Sequence, residues 1–312
     1  MGNDGVAPAR VLVAGTINTD LVARVRAAPE AGETVTGSDF AIFGGGKGAN
    51  QAVAAARSGA PTFMLGALGE DDFGRQRRAD LRAEEIDDAH VGRAVNTPSG
   101  VALIIVDDGG QNRIAYVPGA TLTVTPEQAV AAVEAIRPGV LLATLELPPS
   151  TLRALIEAAR AIGATIVLNA TPEPLSGRAL LPLVDVLIVN ETEATDLLGR
   201  SATDGDWASA GVALRDLGPG SVVITLGGAG AAVVPRDEAP ALRPAPAVAV
   251  VDTTGAGDAF CGAMAARLAG GDSVAAAAEV GIIAGSLAVT RAGAQPSMPS
   301  LDEIRRAMER TR

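Results

Sequence analysis

The stretch VLLATLELPPSTLRALIEAARAIGATIVLN, Val140 to Asn169, decides the fold. Its first run, Val140–Leu145, has the length and branching of a buried strand. A helical pattern, Pro149–Ile162, follows, and then a second strand, Thr165–Leu168. Strands alternating with helices of roughly 10–15 residues imply a mostly parallel sheet with helices on both faces. The same rhythm extends in both directions. Upstream lie strand Val11–Ile17, helix Gly48–Ser58 closed by Gly59, strand TFMLGAL, helix Asp72–Glu84 and helix Pro126–Ile136. Downstream come strand Val186–Val189, helix Glu191–Leu198, strand Ser221–Thr225, hairpin strand Ala231–Val234 and strand Ala247–Val251. Helices Ala256–Leu268, Ser273–Val289 and Leu301–Arg310 close the chain. The expectation is an α/β fold, a three-layer α/β/α sandwich formed by one domain over residues 1–312.

Two stretches break the rhythm. Leu21 to Ile42 is extended, with Pro29 and several glycines. Ser99 to Val117 reads as strand, turn, strand about a Gly pair. Both are expected to add strands to a small separate sheet. Hydrophobic residues make up 48% and aromatics 2% of the 312 residues, so the core must be built from Ala, Val, Leu and Ile.

Composition excludes several classes of function. The net charge is −11 and no basic cluster tracks a phosphate backbone, which argues against nucleic acid as a partner. One cysteine, Cys261, cannot form an intrachain disulfide or a Cys-based zinc site, and it fits a reducing compartment. One histidine, His90, rules out His-pair metal motifs and reads as a solvated bystander at a loop or strand start. The opening MGNDGVAPAR lacks a signal pattern and reads as a short disordered lead-in. No apolar run reaches transmembrane length, since Glu279 interrupts AAAAEVGIIAGSLAVT. A soluble cytoplasmic protein with no membrane partner is expected.

In an open parallel sheet, ligands bind at the carboxyl ends of strands. Polar residues gather at five such ends: Asn18 and Asp20, Glu146, Asn190 and Glu193, TLGGAG (Thr225–Gly230), and DTTGAGDAF (Asp252–Phe260). In the last, Gly255, Ala256 and Gly257 open a helix with almost no side chain. The first N–H groups of a helix lack internal partners, so an anion can approach them there. Asp258 stands beside that place, where a carboxylate can accept the proton of an alcohol attacking phosphorus. Asp258 could equally be a dipole complement at a plain helix start.

FGGGKGANQA holds the chain's only lysine, Lys47, in a glycine run. It is not a P-loop, because Gly48 rather than Ser or Thr follows the lysine. Gly45 and Gly46 can bring backbone close to a ligand. With Asn18, Asp20 and Asn50 they suit a polyol held by amides and carboxylates. Lys47 would supply a fixed cation near the sugar oxygens or the transferring phosphoryl group. In NETEAT, Glu193 could hold Mg²⁺ directly or through water, or it could close a capping box with Asn190; both can be true.

The segments GTINTD, FGGGKGANQAVAAARSGA, LGEDDFG, LLATLELP, NETEA, ITLGGAG, VDTTGAGDAF and LAVTRAGAQPS, in this order over residues 11 to 300, resemble the ribokinase family of sugar and nucleoside kinases. The resemblance implies the ribokinase-like sandwich with a small β lid formed by about 19–43 and 99–118, which in the family also joins two subunits as a homodimer. It implies ATP-dependent transfer to a sugar 5-hydroxyl, with D-ribose the expected acceptor. Asn18, Asp20, Gly45, Gly46, Lys47, Asn50, Glu146 and Asp258 would hold the sugar. Asp258 would be the base, Gly255, Ala256 and Gly257 the anion hole, and Lys47 a catalytic cation. Asn190, Thr225, Gly227, Gly228, Gly230 and Gly257 would line the ATP, with Glu193 near magnesium. An activating potassium ion would be held by Asp252, Thr254, Ala288, Arg291, Gly293 and Ser297, several through carbonyls.

This sequence departs from the pattern at Ile282, near the adenine, and at Thr121, which follows the hairpin; neither is expected to touch the sugar-phosphate chemistry. Related kinases for 2-deoxyribose, a nucleoside or another sugar remain alternatives. A dinucleotide-dependent oxidoreductase lacks its G-x-G-x-x-G after the first strand. A non-catalytic sugar-binding protein would have no use for Asp258.

Overall fold

A computed structural model describes residues 9–202 and 205–311; residues 1–8, within the expected lead-in, lie outside them. Nine strands form one sheet: β1 (Val11–Ala14), β4 (Thr62–Gly69), β5 (Val91–Ala94), β8 (Val140–Thr144), β9 (Thr165–Asn169), β10 (Val186–Asn190), β11 (Ser221–Thr225), β12 (Ala231–Val234) and β13 (Ala241–Arg243). Their order is β13-β12-β11-β10-β9-β8-β1-β4-β5. All neighbours pair in parallel except β11 with β12 and β12 with β13. The central strands are apolar on both faces, as a sheet covered twice requires. Val11 and Val13 point into one core, and Leu12 and Ala14 into the other. The first core is covered by α1 (Lys47–Arg57), α7 (Ala256–Ala269), α8 (Val274–Ala288) and α9 (Leu301–Thr311). The second is covered by α3 (Pro126–Ile136), α4 (Pro149–Ala161), α5 (Glu191–Leu198) and α6 (Trp207–Arg215).

Helix α2 (Asp72–Ala83) lies beyond β4. A second sheet runs β3-β2-β6-β7, from β2 (Asn18–Val25), β3 (Gly37–Gly45), β6 (Gly100–Val106) and β7 (Asn112–Val117). The two irregular stretches therefore do make a separate sheet. Because β2 starts at Asn18, directly after β1, that sheet rises from the carboxyl end of the large one.

Several expectations need correction. Ala247–Val251 pairs with no strand among the described residues. Pro244 and Pro246 before it have no N–H to donate, the short β13 takes the edge, and Val250 and Val251 stand 62% and 65% exposed. Strand β5, with only VGRA, and helix α6, capped by Asp206 accepting from the Ser209 N–H, are additions to the expected elements. Helix α1 starts at Lys47 rather than Gly48. Its cap, Gly46, has φ 91°, and a Cβ there would lie 2.7 Å from the Thr16 carbonyl oxygen.

Gly48 has another task. A Cβ on it would sit 2.6 Å from the Gly15 carbonyl carbon, so here α1 touches the end of β1 backbone to backbone. Gly48→Ala is expected to destabilise the fold by about 1–3 kcal/mol, the usual cost of overpacking, read as a lower midpoint in urea with unchanged slope. Gly262 does the same between α7 and α1, where a Cβ would meet the Gln51 carbonyl oxygen at 2.3 Å. That close crossing also places Asp258, which lies one turn before Gly262 on the same face.

Candidate active site

At the crossing, Asp258 Oδ2 accepts from Asn50 Nδ2 at 2.9 Å, and Oδ1 accepts from Gln51 Nε2 at 3.0 Å. Gln51 also donates to Asn169 Oδ1 at 2.9 Å, and Asn169 donates to the Ile188 carbonyl. Residues from α1, β9 and α7 thus fix one carboxylate. Burial pushes its pKa up, against the lowering by Lys47, Asn50 and Gln51. Sequence reasoning misses Gln51; it stands next to Asn50, but nothing in GANQA says which of the two amides turns inward.

The helix start behind Asp258 is open. Gly255 caps α7 at φ 76° with no side-chain cap, and a Cβ on it would lie 3.0 Å from the Ala294 Cα. The Ala256 N–H turns back to the Thr253 carbonyl and the Ala259 N–H to the Gly255 carbonyl. Among the described residues, the N–H groups of Gly255, Gly257 and Asp258 have no acceptor. Of the three residues expected to bind an anion, Ala256 has its N–H already engaged, and the Asp258 N–H stands free in its place. A Cβ on Gly257 would meet nothing within 4 Å, because it faces a cleft of about 160 Å³. Lys47, Asn190, Glu193, Thr225 and Cys261 share that cleft.

Lys47 makes no hydrogen bond or ion pair with the described residues, yet it acts electrostatically on Glu146, Glu193 and Asp258 together. Among the described residues it is thus a cation shared by three carboxylates. Glu193 and Asn190 form the capping box, each side chain accepting from the other's N–H at 2.8 Å. Burial raises the Glu193 carboxyl all the same. Glu146 Oε2 accepts from the Thr16 N–H, Thr16 Oγ1 and Thr144 Oγ1. Burial pushes it up more than these bonds lower it.

Asp20 lies on β2, on the row shared with Phe43 of β3 and Ala102 of β6. Its pKa is pushed up to about 6, first by burial, against the pull of Arg77 and with a further push from Asp258. The two acids therefore sense one another across one site. Asp20 rests on Gly45, where a Cβ would lie 2.2 Å from Oδ2. Asn18 is buried, and its Oδ1 has no partner among the described residues. The Tyr116 hydroxyl reaches toward Asn18 and Thr121, and burial, helped by Glu146, raises its pKa to about 12. Thr121 thus lies beside the Asn18 end of the site.

Gly227 and Gly228 are open above β11, whereas Gly230 is needed by the β11–β12 hairpin, since a Cβ would lie 1.9 Å from the Arg243 carbonyl oxygen. Ile282 is a core residue on the α1–α7 face. Asp252 accepts from the Thr254 N–H at 2.9 Å and the Gly293 N–H at 2.8 Å, stapling the segment before α7 to the segment after α8. The Arg291 side chain pairs with Glu303, and Ser297 Oγ donates to the Ala294 carbonyl. Within the described residues no three His, Cys, Asp or Glu side chains gather as a metal cluster.

The chain matches the pfkB family of carbohydrate kinases over residues 8–301. It belongs to that family. This carbohydrate kinase is 35% identical over 299 residues to the ribokinase of Staphylococcus aureus, covering 95% of this chain and 98% of that one. It is 37% identical over 265 residues to the ribokinase of Mus musculus, covering 84% and 82%. The structure of Arabidopsis thaliana ribokinase complexed with ribose and ATP superposes with a TM-score of 0.86 at 30% identity, over 97% of this kinase and 99% of that chain.

Proposed function

We propose that this carbohydrate kinase transfers the γ-phosphoryl group of ATP to the 5-hydroxyl of D-ribose. The observation that carries the reading is the juxtaposition at the start of α7: a carboxylate whose proton affinity burial has raised beside N–H groups with no acceptor. Asn18, Asp20, the Gly45–Gly46 backbone and Glu146 hold the sugar. Asp258 takes the proton from the 5-hydroxyl as its oxygen attacks phosphorus in line. The N–H groups of Gly255, Gly257 and Asp258 receive the charge on the transferring group. Asn50 and Gln51 hold the base, and Lys47 bridges the sugar and phosphate sides. Asn190, Thr225, Gly227 and Gly228 line the nucleotide.

Glu146, Glu193 and Asp258 share Lys47 as their cation, so a polyanion entering here calls for added cations. Glu193 fits a water-mediated Mg²⁺, which keeps several waters and takes few carboxylates. Bound with ATP, the ion would neutralise phosphate charge. The loops stapled by Asp252, with Thr254, Ala288, Arg291, Gly293 and Ser297, would hold K⁺ through carbonyls. We read the small sheet, 19–43 and 99–118, as a lid on a single domain that excludes water from the transfer. Its outer face exposes Phe40, Ile42, Leu103 and Val117, which suits a second copy in a homodimer. No helix among the described residues is long and apolar enough to cross a membrane, and we place the enzyme in the cytoplasm.

ATP consumption measured against ribose, 2-deoxyribose, adenosine and fructose tests the substrate. Ribose is expected to give the highest kcat/KM, with ribose 5-phosphate as product. Turnover of another acceptor without turnover of ribose would overturn the reading.

A further inference from the structure

Helix α2 packs against β2, and at their contact the side chain of Arg77 is buried, leaving 7% of its surface exposed. Its Nη2 pairs with Asp80 Oδ2 at 2.8 Å, but Nε and Nη1 are buried without a partner among the described residues. A guanidinium has five donors, and unpaired buried ones cost free energy. Packing alone does not explain such a residue, because a methionine would fill the space without that cost. Asp20 lies within its electrostatic reach and, among the described residues, accepts no hydrogen bond. The charged groups facing Asp20 are Arg77 from α2 and Asp258 from α7, while its strand neighbours Phe43 and Ala102 carry none.

We propose that Arg77 is a positioning residue for the acceptor sugar, its half-used buried guanidinium holding Asp20 as the carboxylate that grips the sugar hydroxyls. The proposal rests on the reading of Asp20 as a sugar ligand. Asp20 is drawn toward loss of its charge, since burial and Asp258 both drive it toward the neutral acid. Only Arg77 opposes them. In the enzyme as it stands, the ribose KM therefore rises as pH falls through about 6, where Asp20 takes up a proton and can no longer accept from two hydroxyls.

Two variants move that midpoint in opposite directions. Arg77→Met removes the opposing charge and raises it by about one pH unit or more. Asp80→Asn leaves Arg77 in place but frees it from its neutralising partner, and lowers the midpoint. Asp80 lies at the helix surface, so this variant reports even if Arg77→Met fails to fold. Arg77→Lys keeps the charge and returns most of the wild-type profile. Two readouts are needed: the pH profile of ribose KM against kcat, and the titration of the Asp20 carboxyl by carbon-13 NMR, assigned with Asp20→Asn. The expected result is a midpoint shift in both readouts, a several-fold higher ribose KM at pH 7 in Arg77→Met, and kcat at saturating ribose within about threefold of wild type. An Asp20 titration unchanged in both Arg77→Met and Asp80→Asn overturns the proposal and leaves Arg77 a structural residue. A titration that shifts while ribose KM does not overturns the sugar role of Asp20 instead, and with it the positioning role of Arg77.

Discussion

Asp258→Asn is expected to lower kcat by about 10²–10⁴-fold, the range contributed by a positioned general base, while ribose binds as tightly as before. The isosteric change removes the proton acceptor and keeps the shape. Asn50 and Gln51 both donate to this carboxylate, and an asparagine would set its own NH₂ against one of them. The repair is at hand, because Asn50 Oδ1 is buried and has no partner among the described residues. Turning the Asn50 amide over gives the new NH₂ an acceptor, whereas Gln51 is held by its bond to Asn169 Oδ1. The fold should therefore keep or exceed its wild-type thermal midpoint. Asp258 is raised above its ordinary value by burial, so at neutral pH its ionised form opposes folding and its removal relieves that cost. Single-turnover kinetics with ribose calorimetry checks both halves. A variant that turns over at wild-type rate would remove Asp258 from the chemistry; one that loses ribose affinity in parallel would make it a sugar ligand instead.

Which parts of this site are legible in the sequence follows from what local patterns record. The alternation of strands with helices is set by nearest neighbours along the chain, and Pro126–Ile136, Glu191–Leu198 and Ser221–Thr225 lie where the pattern puts them. Polar residues at strand ends are legible because a parallel sheet places those ends together, so Asn18, Asn190, Thr225 and Asp258 can be grouped before any contact is known. Contacts across the chain leave no such trace. Gln51 reaches Asn169 and Asp258 over more than a hundred residues, and Gly262 is legible only once α7 is laid on α1. Arg77 looks like one more charge on an amphipathic helix; only its burial against β2 sets it apart. The run Ala247–Val251 misleads for the opposite reason. Its apolar, valine-rich pattern is local, but the missing N–H groups of Pro244 and Pro246 and the occupied sheet edge decide against pairing.

Gly45→Ala is expected to raise the ribose KM about 100-fold while leaving ATP KM and thermal stability near wild type, because its cost falls on one or two hydrogen bonds to a charged group, each contributing about 1.5–3 kcal/mol. Gly45 lies in β3 opposite Asn18, and the Asp20 carboxylate rests on its Cα. A methyl there would lie 2.2 Å from Oδ2 and 2.4 Å from Cγ, so Asp20 must swing away. The displaced group is the end of a flexible side chain rather than backbone, and β3 keeps its pairing. Binding therefore suffers where folding does not. This prediction separates two uses of the glycine run. If Gly45 is glycine only to let the chain turn, Gly45→Ala and Asp20→Asn damage the enzyme independently, and their effects add. If Gly45 exists to seat Asp20, the alanine does nothing further once Asp20 is gone. The double variant should then have the ribose KM of Asp20→Asn alone. An additive result would show that the glycine serves the backbone, and the seating of Asp20 on β3 would no longer explain why Gly45 precedes the capping Gly46 and the lysine.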